Sequence, residues 1–218
     1  MTLPESRRAR TLKRILDARA VAVIRVSDPG RLLPVVEALL NGGVRGIEVT
    51  MTVPDALTQI RLVDQTFGED AILGVGSVLS ADTARLAIEA GARYVVSPIL
   101  KPEIIAAAHT LDAAAMPGAF TPTEIQKAHE AGADIVKVFP ANVVGMAFFR
   151  GVLAPMPHLR LMPTAGVTLT NAGEWLAAGA CAVGVGSALL DRAAIESEDW
   201  QTLTDNARTL MRSISEAP

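Results

Sequence analysis

Two charged residues stand where an apolar strand would ordinarily exclude them. Lys137 is the centre of Ile135-Val136-Lys137-Val138-Phe139, and Glu48 is the centre of Gly46-Ile47-Glu48-Val49-Thr50. Burying an ammonium in such a run is costly unless it is paired or becomes neutral. Desolvation that lowers a lysine from its usual pKa of about 10.4 creates a free amine, which attacks a ketone to form a Schiff base. A carboxyl held near the resulting iminium can shuttle protons, directly or through one water. The structural alternative is a buried Lys137–Glu48 ion pair that holds the fold together, or a lysine reaching out at a rim. Arg25, which follows Val21-Ala22-Val23-Ile24, offers a planar fork that suits a substrate carboxylate, or else an ordinary rim salt bridge.

Two turns near the C-terminal end are rich in small residues, Thr164-Ala165-Gly166-Val167 and Gly184-Val185-Gly186-Ser187-Ala188. Backbone N–H groups approach an anion closely only where side chains are absent, and a following helix N-terminus adds a favourable dipole. Such turns also arise for steric reasons alone. Gly184 to Gly186 lacks the third glycine of a dinucleotide fingerprint, so no cofactor is expected. His109, His129, His158 and Cys181 have no metal-ligand spacing, and no G-x-S-x-G elbow is present, which argues against a metal site and a serine hydrolase.

The elements that must position these residues alternate. Short β-branched runs begin at Val21 and recur at Gly46 to Thr50, Ile72 to Gly76, Tyr94 to Ser97, Ala114 to Met116, Ile135 to Phe139, Leu159 to Met162 and Ala182 to Gly186. Each precedes a stretch of helical period, as in Leu32 to Leu40. Eight βα units with near-continuous apolar strands predict an α/β fold, a single (β/α)8 TIM barrel, with an additional N-terminal helix before Val21. A helix-ending glycine recurs at Gly43, Gly91, Gly132 and Gly179. Five residues beyond each lie Glu48, Val96, Lys137 and Gly184. Alternate barrel strands supply one interior layer, so this register places the carboxylate and the amine in one layer, with a glycine leaving room for a ligand.

The chain has 218 residues, 50% hydrophobic and 20% charged, with a net charge of −3. No linker or low-complexity tract divides it, so 1–218 reads as one domain. An acidic balance with 4% aromatic residues argues against nucleic acid as a partner. The apolar runs stop well short of the roughly 20 residues that cross a membrane. A lone cysteine and a charged beginning to the chain predict a cytoplasmic protein.

Together these motifs resemble the 2-keto-3-deoxy-6-phosphogluconate (KDPG) and 4-hydroxy-2-oxoglutarate (KHG) aldolases, class I Schiff-base lyases. The likeness runs from about Val21 to Leu190. It is carried by Val21 to Arg25, Gly42-Gly43-Val44, Glu48-Val49-Thr50, Gly74-Val75-Gly76-Ser77-Val78, Ser97-Pro98, Met116-Pro117-Gly118, Thr121-Pro122-Thr123-Glu124, Lys137-Val138-Phe139-Pro140 and Gly184 to Ser187. The resemblance implies Schiff-base formation at Lys137 and proton transfer by Glu48. It also implies a pyruvate carboxylate near Arg25 and the Gly74 to Ser77 loop, a phosphate at Gly166, Gly186 and Ser187, and a homotrimer acting on a small 2-keto acid. Pro98 and Phe139 would wall the pocket, and Thr121 would meet a substrate hydroxyl. Ser77 stands where many members have threonine, Thr52 where some have arginine, and Ala165 where a glycine is common. Ile99 and Lys101 are less typical of the family. The expected reaction splits KDPG into pyruvate and glyceraldehyde 3-phosphate. Its galactonate epimer and 4-hydroxy-2-oxoglutarate are sister substrates, and a non-covalent phosphosugar epimerase or isomerase is a further alternative.

Overall fold

A computed structural model describes residues 5–217. Its strands are β1 (Ala20–Ile24), β2 (Gly46–Thr50), β3 (Ile72–Gly76), β4 (Tyr94–Val96), β5 (Ala114–Met116), β6 (Gly118–Ala119), β7 (Val136–Val138), β8 (Leu161–Pro163) and β9 (Val183–Val185). The helices are α1 (Arg7–Ala18), α2 (Leu32–Asn41), α3 (Ala56–Phe67), α4 (Ala81–Glu89), α5 (Pro102–Thr110), α6 (Pro122–Glu130), α7 (Ala141–Leu153), α8 (Ala172–Ala177), α9 (Arg192–Glu196) and α10 (Trp200–Ser215). Six strands form a curled parallel sheet in the order β5-β4-β3-β2-β1-β9, and β6-β7-β8 form a second parallel sheet.

The sheets adjoin at two seams. Only Pro117 separates β5 from β6, and a residue without an N–H cannot continue the ladder as a donor. Its carbonyl still accepts from the Lys137 N–H at 2.9 Å. At the other seam the Cys181 N–H donates to the Leu161 carbonyl at 2.9 Å, and Thr164 bridges Gly184 in parallel. The expected strand at Ala114 to Met116 therefore resumes beyond the proline. The expected strand from Leu159 to Met162 is displaced to Leu161–Pro163, and the others differ by a residue or so at their ends.

The recurrent glycines close alternate helices in one way. Gly43, Gly91, Gly132 and Gly179 have φ of 96°, 126°, 95° and 102°, a left-handed conformation that costs side-chain-bearing residues energy. The next residue's N–H then reaches back into the last helical turn: Val44 to the Leu39 carbonyl, Ala92 to Ala87, Ala133 to Ala128 and Ala180 to Trp175. Each cap thus releases the chain into β2, β4, β7 or β9 at a fixed distance.

Alternation along the strands divides the core in two. Ala20, Ala22, Ile24, Ile47, Val49, Leu73, Val75, Val95, Val136 and Val138 belong to the large cluster packed under the helices. Val21, Ile72, Tyr94, Val96, Ala114, Met116, Ile135, Met162 and Ala182 form a smaller cluster on the concave side, with Ile15 of α1 packed among them. By that alternation Glu48, between Ile47 and Val49, and Lys137, between Val136 and Val138, share the concave side with this inner cluster.

Candidate active site

Both charges are engulfed: Glu48 is 0% exposed and Lys137 3%. Glycine sits in register beside each, Gly74 opposite Glu48 and Gly118 opposite Lys137. These glycines are constrained by their surroundings as well. A Cβ at Gly74 would lie 2.3 Å from the Tyr94 ring and one at Gly118 2.3 Å from the Pro98 backbone, while one at Gly76, two residues on along β3, would lie 1.8 Å from Glu48 Oε1. The strand glycines therefore leave the volume that the Glu48 and Tyr94 side chains and the Pro98 loop occupy.

Among the described residues neither oxygen of the Glu48 carboxyl has a hydrogen-bond partner, so the two charges do not form the direct ion pair that the sequence left open. Burial pushes the Lys137 pKa down, partly opposed by the Glu48 charge and reinforced by Arg25. Burial pushes the Glu48 pKa up, against the pull of Lys137 and Arg25. Both groups are thus driven toward neutral forms, a nucleophilic amine and a carboxyl able to give a proton. Lys137 Nζ lies 5.3 Å from the centroid of the Phe139 ring, and that apolar face helps exclude the water that would stabilise an ammonium.

The remaining expected site residues lie near or just beyond strand C-terminal ends, where the open side of an α/β sheet gathers its ligand-binding loops. Arg25, exposed beyond β1, joins Val23, Gly186 and Ser187 around a cavity of about 420 Å³. Arg31 and Arg192 line it too, but they are held by Asp28 and Glu196 respectively. Among the described residues, Arg25 is the lining guanidinium left without an ion-pair partner. Ser77 (φ 59°) follows β3, and Ala165 (φ 72°) and Gly166 (φ 81°) follow β8. A Cβ at Gly166 would lie 2.7 Å from the Asn142 Cβ. Lys137, Glu48, Phe139, Ser77, Pro98, Thr121, Ala165 and Gly166 are not among the residues lining the Arg25 cavity. Thr121 caps α6, accepting from the Glu124 N–H while Glu124 accepts from the Thr121 backbone. Its hydroxyl keeps a proton to donate.

Arg31, Ser27 and Arg192 are not legible as site residues in the sequence, because polar and charged surface residues in helical and loop segments carry no periodic signal. Tyr94 was missed as well. It lies wholly buried on β4, its hydroxyl without a partner among the described residues. As an aromatic residue inside an apolar strand it has an ordinary packing explanation.

Comparison with known proteins matches residues 12–206 to the KDPG and KHG aldolase family. A 2-dehydro-3-deoxy-phosphogluconate aldolase of Treponema pallidum is 34% identical over 194 residues, covering 88% of this chain and 90% of that protein. A probable 2-dehydro-3-deoxy-6-phosphogalactonate aldolase of Rhizobium meliloti is 33% identical over 170 residues, covering 78% of this chain and 80% of its own. Among solved structures, a KDPG aldolase from Legionella pneumophila, with pyruvate captured as a covalent carbinolamine, superposes with a TM-score of 0.84 at 27% identity. That match covers 91% of this chain and 97% of the other.

Proposed function

The chain belongs to the KDPG and KHG aldolase family, and from that premise we propose that it cleaves KDPG to pyruvate and glyceraldehyde 3-phosphate through a Schiff base on Lys137. The observation that carries this reading is the buried pair itself: an amine and a carboxyl in one apolar enclosure, both pushed toward neutrality and not joined to each other.

The neutral Lys137 amine attacks the C2 carbonyl, and transfer of a proton from the attacking nitrogen to the carbonyl oxygen gives a neutral carbinolamine. Glu48, in its acid form, gives a proton to the departing hydroxyl, water leaves, and an iminium remains. Removal of the C4 hydroxyl proton by the Glu48 carboxylate then breaks the C3–C4 bond. The bonding electrons move into the iminium, glyceraldehyde 3-phosphate departs, and an enamine of pyruvate is left. Glu48 returns the proton to C3, and hydrolysis frees pyruvate and the amine. Arg25 holds the substrate carboxylate alongside Ser77, while the loops at Ala165, Gly166, Gly186 and Ser187 receive the phosphate. Pro98 and Phe139 wall the reacting carbon, and Thr121 donates to a substrate hydroxyl.

The same reading takes the two sheets as one closed (β/α)8 barrel, single-domain from 1 to 218, with α1 as an additional helix. The proline seam and the Thr164–Gly184 bridge support this closure. It assigns a metal-independent, cytoplasmic enzyme of Entner–Doudoroff carbohydrate metabolism, assembled as a homotrimer. Exposed Leu79, Ile99 and Phe120 on the loops after β3, β4 and β6, and exposed Val143 on α7, support burial against another copy. The near-equal likeness to the Rhizobium meliloti protein favours the galactonate epimer as the second reading.

Pyruvate release from KDPG, from its galactonate epimer and from 4-hydroxy-2-oxoglutarate tests the assignment. The highest kcat/KM is expected for KDPG. Cleavage of none of the three by folded protein contradicts the reading, and a preference for the epimer selects the second one.

A further inference from the structure

Tyr94 is the only tyrosine in the chain, and its hydroxyl is buried without a hydrogen-bond partner among the described residues. A phenylalanine would fill nearly the same volume without that penalty, so an orphaned phenol in an apolar interior calls for a partner. The surrounding register indicates one. Glu48 of β2, Gly74 of β3 and Tyr94 of β4 are paired in sequence across three adjacent strands. A Cβ at Gly74 would stand 2.3 Å from the Tyr94 ring, just as one at Gly76 would collide with Glu48 Oε1. Tyr94 and Glu48 therefore reach from opposite sides over a strip of β3 that two glycines leave bare. One orphaned donor and two orphaned acceptors lie against that strip.

We propose that Tyr94 is a positioning residue for Glu48: its phenolic O–H donates to the carboxylate across the Gly74–Gly76 strip, directly after a small rotation or through one enclosed water. This inference rests on Glu48 being the proton carrier. The bond favours the ionised carboxylate, counteracting burial, and orients it toward the amine. The groups facing Glu48 are then Lys137 from β7, Arg25 from the end of β1 and Tyr94 from β4, while β3 presents only glycine there. The ionised form of Glu48 in turn raises the Tyr94 pKa, adding to the effect of burial. Paired glycines on β3 thus leave the space across which the two side chains meet.

A lone tyrosine gives a single reporter. Protein labelled at the tyrosine ¹³Cζ is titrated over the pH range in which it stays folded, as wild type and as Glu48→Gln. The expected result is one resonance that moves in a step with pH, a step missing from Glu48→Gln. In steady-state kinetics, Tyr94→Phe is expected to move the Glu48-dependent limb of the kcat profile to higher pH by about one unit. It should also lower kcat about tenfold with KM unchanged. A resonance indifferent to pH, together with a wild-type pH profile in Tyr94→Phe, overturns the proposal. Borohydride trapping of pyruvate on the wild type separates the two claims. If trapping fails, the catalytic reading falls, while the resonance still decides whether Tyr94 and Glu48 are bonded.

Discussion

At Lys137 solvation and chemistry pull against each other. A charged amine there is buried and has no direct counter-ion among the described residues, and burial holds its pKa below the ordinary lysine value. The rate of Schiff-base formation should accordingly fall as pH drops through that lowered pKa, which a stopped-flow pH series measures. Stability follows the same shift. Between the lowered folded value and the ordinary one, the unfolded chain binds the extra proton, so stability rises with pH across that window. Glu48 acts in the opposite sense: its pKa is raised, and stability falls as pH rises from the ordinary carboxylate value to the folded one. Replacing both residues by apolar ones, Lys137→Met with Glu48→Leu, should stabilise the fold by about 1–4 kcal/mol in denaturant melts while abolishing turnover. A loss of stability would show that the pair holds the fold together. Glu48→Gln alone should slow turnover by about 10²- to 10⁴-fold. Lys137 and Glu48 were legible in the sequence because a charge in a β-branched run contradicts its surroundings. Tyr94 was not, because an aromatic side chain agrees with them.

The capped glycines determine how accurately each strand presents its side chain. Gly132, at φ 95°, lies five residues before Lys137. Gly132→Ala should cost about 1 kcal/mol or more, since the left-handed cap strains any side chain, as thermal unfolding would show. Ala165 presents the converse case, a residue with a Cβ held at φ 72°. Ala165→Gly should relieve about 1–2 kcal/mol of strain and return roughly 0.4–1 kcal/mol through the entropy of the unfolded chain. A small net gain in denaturant midpoint is expected. A loss would mean that the Ala165 methyl makes contacts worth more than its strain. The glycine caps were readable from their spacing because a left-handed cap demands a particular residue. The break at Pro117 was not, because a strand can end at a proline or resume past it, and only pairing with two different neighbours decides which.

At the scale of the molecule, α1 is tied to the rest of the chain through Asp134, a buried carboxylate. Asp134 accepts from Arg8 at 2.9 Å and from the Ala115 N–H at 2.8 Å, and lies 3.2 Å from His109 Nε2. Ile15 enters the inner cluster from the same helix. Arg8→Ala should therefore destabilise the whole fold by about 1.5–3 kcal/mol, the range for a hydrogen bond to a charged partner. Equilibrium unfolding tests this, and an unchanged midpoint would show that the Arg8–Asp134 tie adds nothing to the anchoring that Ile15 already gives α1. Alternating strand and helix signals made the α/β class legible, and apolar strands anticipated a sheet covered on both sides. The Arg8–Asp134 tie could not be read, since residues 126 positions apart share no local pattern.

The central claim is that Lys137 becomes covalently bonded to substrate, and reduction makes that bond permanent. Incubating the folded protein with pyruvate and borohydride and mapping the product by peptide mass spectrometry tests it most directly. A reduced pyruvate adduct confined to the peptide carrying Lys137, and absent from Lys137→Met, is the predicted result. Folded protein that binds pyruvate but carries no adduct on Lys137 would contradict the account.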